Sequence, residues 1–181
     1  MRADARRNYE RLLSEARTAF DEHGIHTSLD DIAKQAGLGN ATLYRHFPTR
    51  ESLLEAILRD SISELGDTGQ ELLTTEPAGE ALATWVRAAV THATTYRGLV
   101  TMLMDSLKDE TSDLNSACTA MQAAGRQLLE RAQHAGEVRD DITATGLYAL
   151  IAAAAWTREH APEEADQVLA VLINGLWQPR S

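Results

Sequence analysis

At 181 residues, with 11 Gly and 4 Pro, the chain is long enough to bury a real core as one or two small domains, and its composition favours helices. Its single cysteine, Cys118, excludes an intramolecular disulfide; residues 1–27 lack the apolar stretch of a secretory signal, and no apolar run reaches transmembrane length, so a soluble cytoplasmic protein with no membrane partner is expected. The net charge of −10 argues against nucleic acid only until the chain is divided: residues 1–59 hold 9 Lys+Arg against 9 Asp+Glu, and residues 60–181 hold 8 against 18, so a neutral head can still turn a basic face to phosphates.

Residues 1–7, with Arg2, Arg6 and Arg7, are expected to be frayed, either as a solvated start or as an arm that reaches the phosphate backbone or minor groove. A first helix then runs to about His23, with Tyr9, Leu12, Leu13, Ala16, Ala19 and Phe20 as its apolar stripe and Gly24 as its stop. Ser28-Leu29-Asp30-Asp31 is a helix start: the hydroxyl accepts from an orphan N–H, and acids suit the positive end of the helix dipole. Leu29, Ile32, Ala33 and Ala36 follow at i, i+3, i+4 and i+7. Gly37 supplies the positive φ that ends this second helix, and Leu38 is expected as a buried plug in the turn. A short third helix fits Asn40 to Phe47, with Gly39 as N-cap and Pro48 as its stop. Helix, tight glycine turn and helix make a helix-turn-helix pattern.

On the third helix, Leu43 and Phe47 are expected in the core, while Asn40, Ala41, Thr42, Arg45 and His46 are the residues free to face a major groove. Asn suits adenine, Arg suits guanine, and Ala or the Thr methyl suits the thymine methyl. Thr27, Ser28, Arg50 and the start of the fourth helix are placed for phosphates. A metal site at Asp21, His23 and His26 is disfavoured, because Gly24 breaks the helix that would align the histidines.

Ile32-Ala33-Lys34-Gln35-Ala36-Gly37-Leu38-Gly39, followed by Thr42-Leu43-Tyr44-Arg45-His46-Phe47 and by Arg50 and Leu53, resembles the amino-terminal pattern of the TetR family of bacterial transcriptional repressors. Gly39 stands where the family usually has Ser, and Arg50 where it has Lys. The resemblance implies an all-α protein of about nine helices: a helix-turn-helix DNA-binding domain at 1–48 and a ligand-binding and dimerisation domain at 49–181, linked by a helix over 49–74. It also implies that the Tyr44 hydroxyl holds a phosphate.

Beyond residue 48, Thr49 is the N-cap of the fourth helix, whose stripe is Leu53, Leu54, Ile57, Leu58, Ile62 and Leu65; Gly66 and Gly69 weaken its extension towards Leu73. Glu76-Pro77-Ala78-Gly79 marks the next break. A fifth helix to about Tyr96, a sixth over 97–107, a seventh reaching Ala135 with Gly136 as its stop, an eighth over 143–160 and a ninth from Pro162 complete the chain. The resemblance puts a small-molecule pocket among helices five to eight, for which Trp85, Ala89, His92, Met102, Met121, Arg126, Tyr148 and Trp156 are the candidates. It also makes helices eight and nine the homodimer contact, with Gly146 and Ala153 allowing close approach and Leu169, Leu172, Ile173 and Leu176 supplying apolar area.

The expected function is a homodimeric transcriptional regulator of the repressor type, released from a near-palindromic double-stranded DNA operator by an unknown small-molecule effector. The alternative is a ligand-independent helix-turn-helix DNA-binding protein. The sequence offers no phosphate-binding loop, metal-ligand spacing or nucleophile motif, so no catalytic residue, metal, cofactor or enzyme activity is expected.

Overall fold

The structure is a computed structural model of the chain, and it describes residues 2–23, 26–95 and 103–177. Nine α-helices fill the described residues: α1 (Arg2–His23), α2 (Leu29–Gln35), α3 (Asn40–His46), α4 (Arg50–Leu72), α5 (Ala78–Thr95), α6 (Met104–Lys108), α7 (Asp113–His134), α8 (Ala144–His160) and α9 (Ala165–Leu176), with a 3-10 turn at Pro162–Glu164 between the last two. No strand occurs among the described residues, only an isolated bridge between Val138 and Trp177. Gly24, Ile25 and the stretch from Tyr96 to Met102, hence most of the expected sixth helix, lie outside the described residues.

The chain divides into two compact units, Met1–Leu58 and Arg59–Ser181. The division falls inside α4, ten residues beyond the boundary expected at residue 48, because Leu53, Leu54, Ile57 and Leu58 of that helix are buried with the head. In the head, α1 packs on α2 and α2 on α3. Leu12, Ala16, Ile32, Ala33, Leu43 and Phe47 fill the core, the residues that the helical spacing selects. Helix α1 starts earlier than a frayed arm would allow. Arg6 pairs with Glu10 at 2.8 Å and Arg7 with Asp4, both at helical spacing.

Caps define the helix ends. Ser28 accepts from the Asp31 N–H at 3.4 Å, and Thr49 and Ser52 cap one another reciprocally at the start of α4, at 3.1 and 3.2 Å, each motif contributing about 1 kcal/mol. Gly37 has φ +64°. Its N–H donates to the Lys34 carbonyl and that of Leu38 to the Ala33 carbonyl, the paired bonds that close a helix through a left-handed residue. Leu38 is half-buried, not a buried plug, since the turn lies at the surface.

In the second unit, α5 packs on α7 and α8, and α9 on α8 and α5. Trp85 of α5 is its largest fully buried side chain. Its indole N–H donates to the Leu65 carbonyl of α4 at 3.2 Å, and the ring passes over Gly125 of α7 and Gly69 of α4 so closely that a Cβ at either would collide with it or its neighbours. The two glycines of α4 therefore differ. A Cβ at Gly66 makes ordinary contact at 3.4 Å with Met121, whereas one at Gly69 lies 2.9 Å from the Ala124 Cβ and 3.0 Å from Trp85 Nε1. Gly66→Ala is expected to stabilise by up to about 1 kcal/mol through helix propensity. Gly69→Ala is expected to lose about 1–3 kcal/mol to overpacking. Thermal unfolding reads the opposite signs as shifts of roughly 2–4 °C per kcal/mol for a chain of this size.

Candidate nucleic-acid interface

Seven residues are too few to hold a helix in water by themselves, so α3 depends on what anchors it. Leu43 is 0% exposed and Phe47 is buried. The Tyr9 ring of α1 lies 5.1 Å from that of Phe47. Helix α3 enters from Gly39, which has extended backbone and makes no side-chain cap. At the other side of the corner, the Arg11 guanidinium of α1 donates to the Ala36 carbonyl, so α1 grips the end of α2 where the chain turns into α3. With its inner face anchored, α3 leaves Asn40, Ala41, Tyr44 and Arg45 exposed, Tyr44 at 46%, and Thr42 half-buried.

His46 departs from the expectation that it faces a groove. Its ring lies edge-on to Tyr9 at 6.1 Å and 6.3 Å from Phe47, with Nε2 buried and making no hydrogen bond. The reason is its position directly before the buried Phe47, where the last turn of α3 bends back onto α1. Arg50 is only partly available to a phosphate. Its guanidinium donates to the Thr27 carbonyl at 2.8 Å, tying the start of α4 to the residue before the cap of α2. Thr27 donates to the Ala19 carbonyl at 3.3 Å. Ser28 uses a lone pair on Asp31 N–H, which leaves its O–H proton able to donate to an anion. Thr27, Ser28 and Arg50 thus share one corner of the head, beside but not on the outer face of α3.

The eight residues considered for a pocket do not meet in one cavity. Trp85 and Ala89 are core, and Met121 packs against it half-buried. Met102 lies outside the described residues. Arg126 and Tyr148 line a groove of about 490 Å³ between α7 and α8, whereas His92 lines another of about 500 Å³ between α4 and α5, with Glu64 and Arg87. Trp156 is 52% exposed and stacks on His160 at 4.3 Å, so it faces outward from α8. Helical spacing marks a residue as apolar-facing but does not say which of several neighbours it meets.

The residues considered for a dimer contact are partly reversed as well. Ile173 and Leu176 are buried, and Leu169 and Leu172 are half-buried against the core of the second unit. Gly146 is half-buried and Ala153 exposed. The large apolar side chains left open on these helices are Leu150 at 42%, Trp156, and Val171 at 65%. Sequence reading missed Leu150 and Val171 because α8 and α9 carry apolar residues on more than one face, and only packing shows which face remains uncovered.

Burial moves three titrating groups, pushing the Cys118 thiol up along with Tyr148 and pushing His92 down. Tyr148 is raised by desolvation, opposed by nearby Arg126; its hydroxyl donates to the Gln122 carbonyl at 2.5 Å. His92 is pushed down from its ordinary 6.5 to about 4 by desolvation, with Glu64 pulling the other way. A histidine neutral in the fold and protonated when unfolded costs no stability above its unfolded pKa. Its penalty grows as pH falls from about 6.5 towards 4. Urea midpoints are expected to drop between pH 7.5 and 5, and His92→Gln is expected to shrink that drop.

Residues 77–178, more than half of the chain, match the family model described as "Transcriptional regulator SbtR-like, C-terminal domain". Residues 12–57 match that of "Bacterial regulatory proteins, tetR family". The HTH-type transcriptional repressor KstR2 of Mycolicibacterium smegmatis is 25% identical over 185 residues, covering 93% of this chain and 90% of that protein. Among solved structures, the TetR transcriptional regulator SCO0520 from Streptomyces coelicolor is 33% identical with a TM-score of 0.76, over 95% of this chain and 99% of that one. A TetR transcription regulatory protein from Mycobacterium vanbaalenii is 34% identical with a TM-score of 0.74, over 98% and 99%.

Proposed function

The chain belongs to the TetR family of bacterial transcriptional regulators, DNA-binding proteins and not enzymes, and from that premise we propose that it is a homodimeric repressor that reads a near-palindromic operator through α3 and releases it when a small molecule binds the second unit. The observation that carries the reading is the outer face of α3: Asn40, Ala41, Tyr44 and Arg45 exposed on a helix whose Leu43 and Phe47 are locked inside. Asn40 and Arg45 bring the donor patterns that pair with adenine and guanine, and the Tyr44 hydroxyl holds a phosphate. Thr27, Ser28 and Arg50 add backbone contacts from the same head. The function assigns DNA reading to residues 1–48 and ligand binding and dimerisation to 49–181.

Two heads are needed, because a symmetric operator presents half-sites about 34–36 Å apart or multiples of that. Leu150, Trp156 and Val171 supply apolar surface for the pairing; Ala153 lets the helices approach closely. A two-fold contact uses one patch against itself, so a charge placed there meets its own copy. Leu150→Glu is expected to shift the protein to monomers in sedimentation and to weaken operator binding steeply, while the isolated chain keeps its helical content. Release follows from differential affinity: a ligand that favours an arrangement of the second unit mismatched to the operator opposes DNA binding by a coupling energy of about 1–3 kcal/mol.

Selection from random duplexes tests this reading, expected to return a near-palindrome. Against operator variants, Arg45→Ala is expected to lose about 1–3 kcal/mol and relax one base preference. Arg50→Ala is expected to weaken all sequences alike and also to lower stability, because it releases the Thr27 carbonyl. Identical sequence profiles for the two variants would refute base reading by Arg45.

A further inference from the structure

The groove between α7 and α8 is set apart by its charge. Residues 60–181 hold 18 Asp+Glu against 8 Lys+Arg, yet no carboxylate lines this groove and Arg126 does. Elsewhere in the second unit four of the described arginines are paired: Arg59 with Asp60 and Asp113, Arg131 with Glu76, Arg139 with Asp141 and Arg158 with Asp166. The groove that holds Arg87 also holds Glu64. Among the described residues no carboxylate pairs with Arg126. A guanidinium with no carboxylate partner, at a concave surface that carries no carboxylate of its own, attracts an anion to that point.

The rest of the lining suits an organic body carrying that charge. The methyls of Ala123 and Ala144 and the ring of Tyr148 give apolar wall, and the hydroxyls of Thr119 and Thr145 give hydrogen bonds. The first residues of α8 lie on the same rim, so the positive end of its dipole adds to Arg126. The volume of about 490 Å³ is that of a small-molecule site.

We propose that this groove is the effector site and that it takes a small organic anion, an apolar or aromatic body bearing a carboxylate or sulfonate, with Arg126 holding the acid group. The proposal rests on the reading of the chain as a ligand-released regulator. Its position gives it a way to act. Tyr148 meets Trp85 edge-on at 6.3 Å, and Trp85 donates to the Leu65 carbonyl of α4. A ligand that displaces the Tyr148 ring therefore presses on the side chain whose seat is shared by α4, α5 and α7.

The test uses two dyes with the same aromatic body, 8-anilinonaphthalene-1-sulfonate and its uncharged counterpart N-phenyl-1-naphthylamine, on the full-length protein. The sulfonate is expected to bind saturably, and Arg126→Gln to weaken it about tenfold while leaving the uncharged dye unchanged. The sulfonate is also expected to weaken binding to a selected operator duplex in the wild type and not in Arg126→Gln. Because such dyes also settle on exposed apolar surface, the dependence on Arg126 is the deciding readout. Arg126 is exposed, and matched thermal unfolding of the two proteins confirms that the variant folds. Equal sulfonate affinity in wild type and variant, or an operator complex indifferent to the dye, overturns the effector site. Failure of the dye-free protein to select any duplex instead overturns the regulator reading, and the two failures are separate measurements.

Discussion

The corner between α2 and α3 is the constraint on which the head depends. One residue with φ +64°, Gly37, reverses the chain direction. Two backbone bonds and the Arg11 guanidinium occupy the carbonyls that the end of α2 would otherwise leave bare. A side chain at Gly37 would be strained by the backbone and would meet Arg11. Everything α3 presents outward follows from the direction this corner imposes, because a seven-residue helix takes its orientation from its attachments and not from its own hydrogen bonds.

The second unit solves its packing problem with a large side chain seated against glycine. Trp85 needs the missing Cβ atoms of Gly69 and Gly125, and it satisfies its one N–H on a main-chain carbonyl of α4. Three helices thus share one buried ring, with Tyr148 of α8 against its edge. Close-packed interiors move between discrete arrangements instead of deforming smoothly. A ring shared by several helices is a place where a ligand near one of them is felt by the others.

Polar economy separates the surfaces. The head keeps exposed cations such as Arg45 and Lys34 while spending others on structure: Arg11 on the Ala36 carbonyl and Arg50 on the Thr27 carbonyl. In the acidic second unit most of the described arginines are matched to carboxylates at its surface, where such pairs contribute little stability. Their arrangement matters more for which anion is attracted or repelled, and where, than for holding the fold.

Much of the architecture was legible in the chain by itself. The helical spacing of Leu12, Ile32, Leu43 and Leu53, the caps at Ser28 and Thr49, and the stops at Gly37 and Gly136 are local signals, readable because each depends on residues within a turn or two of one another. What only the tertiary structure decided is which face of an apolar helix is covered. It turned His46 inward against Tyr9 and Phe47, and engaged Arg50 with Thr27. It scattered the residues considered for a pocket between the core, two grooves and the outer surface. On α9 it buried Ile173 and Leu176 and left Val171 in the open. The physical reason is that hydrophobic periodicity is a property of one helix, whereas burial is a property of the neighbours that happen to meet it, and those neighbours are distant in sequence.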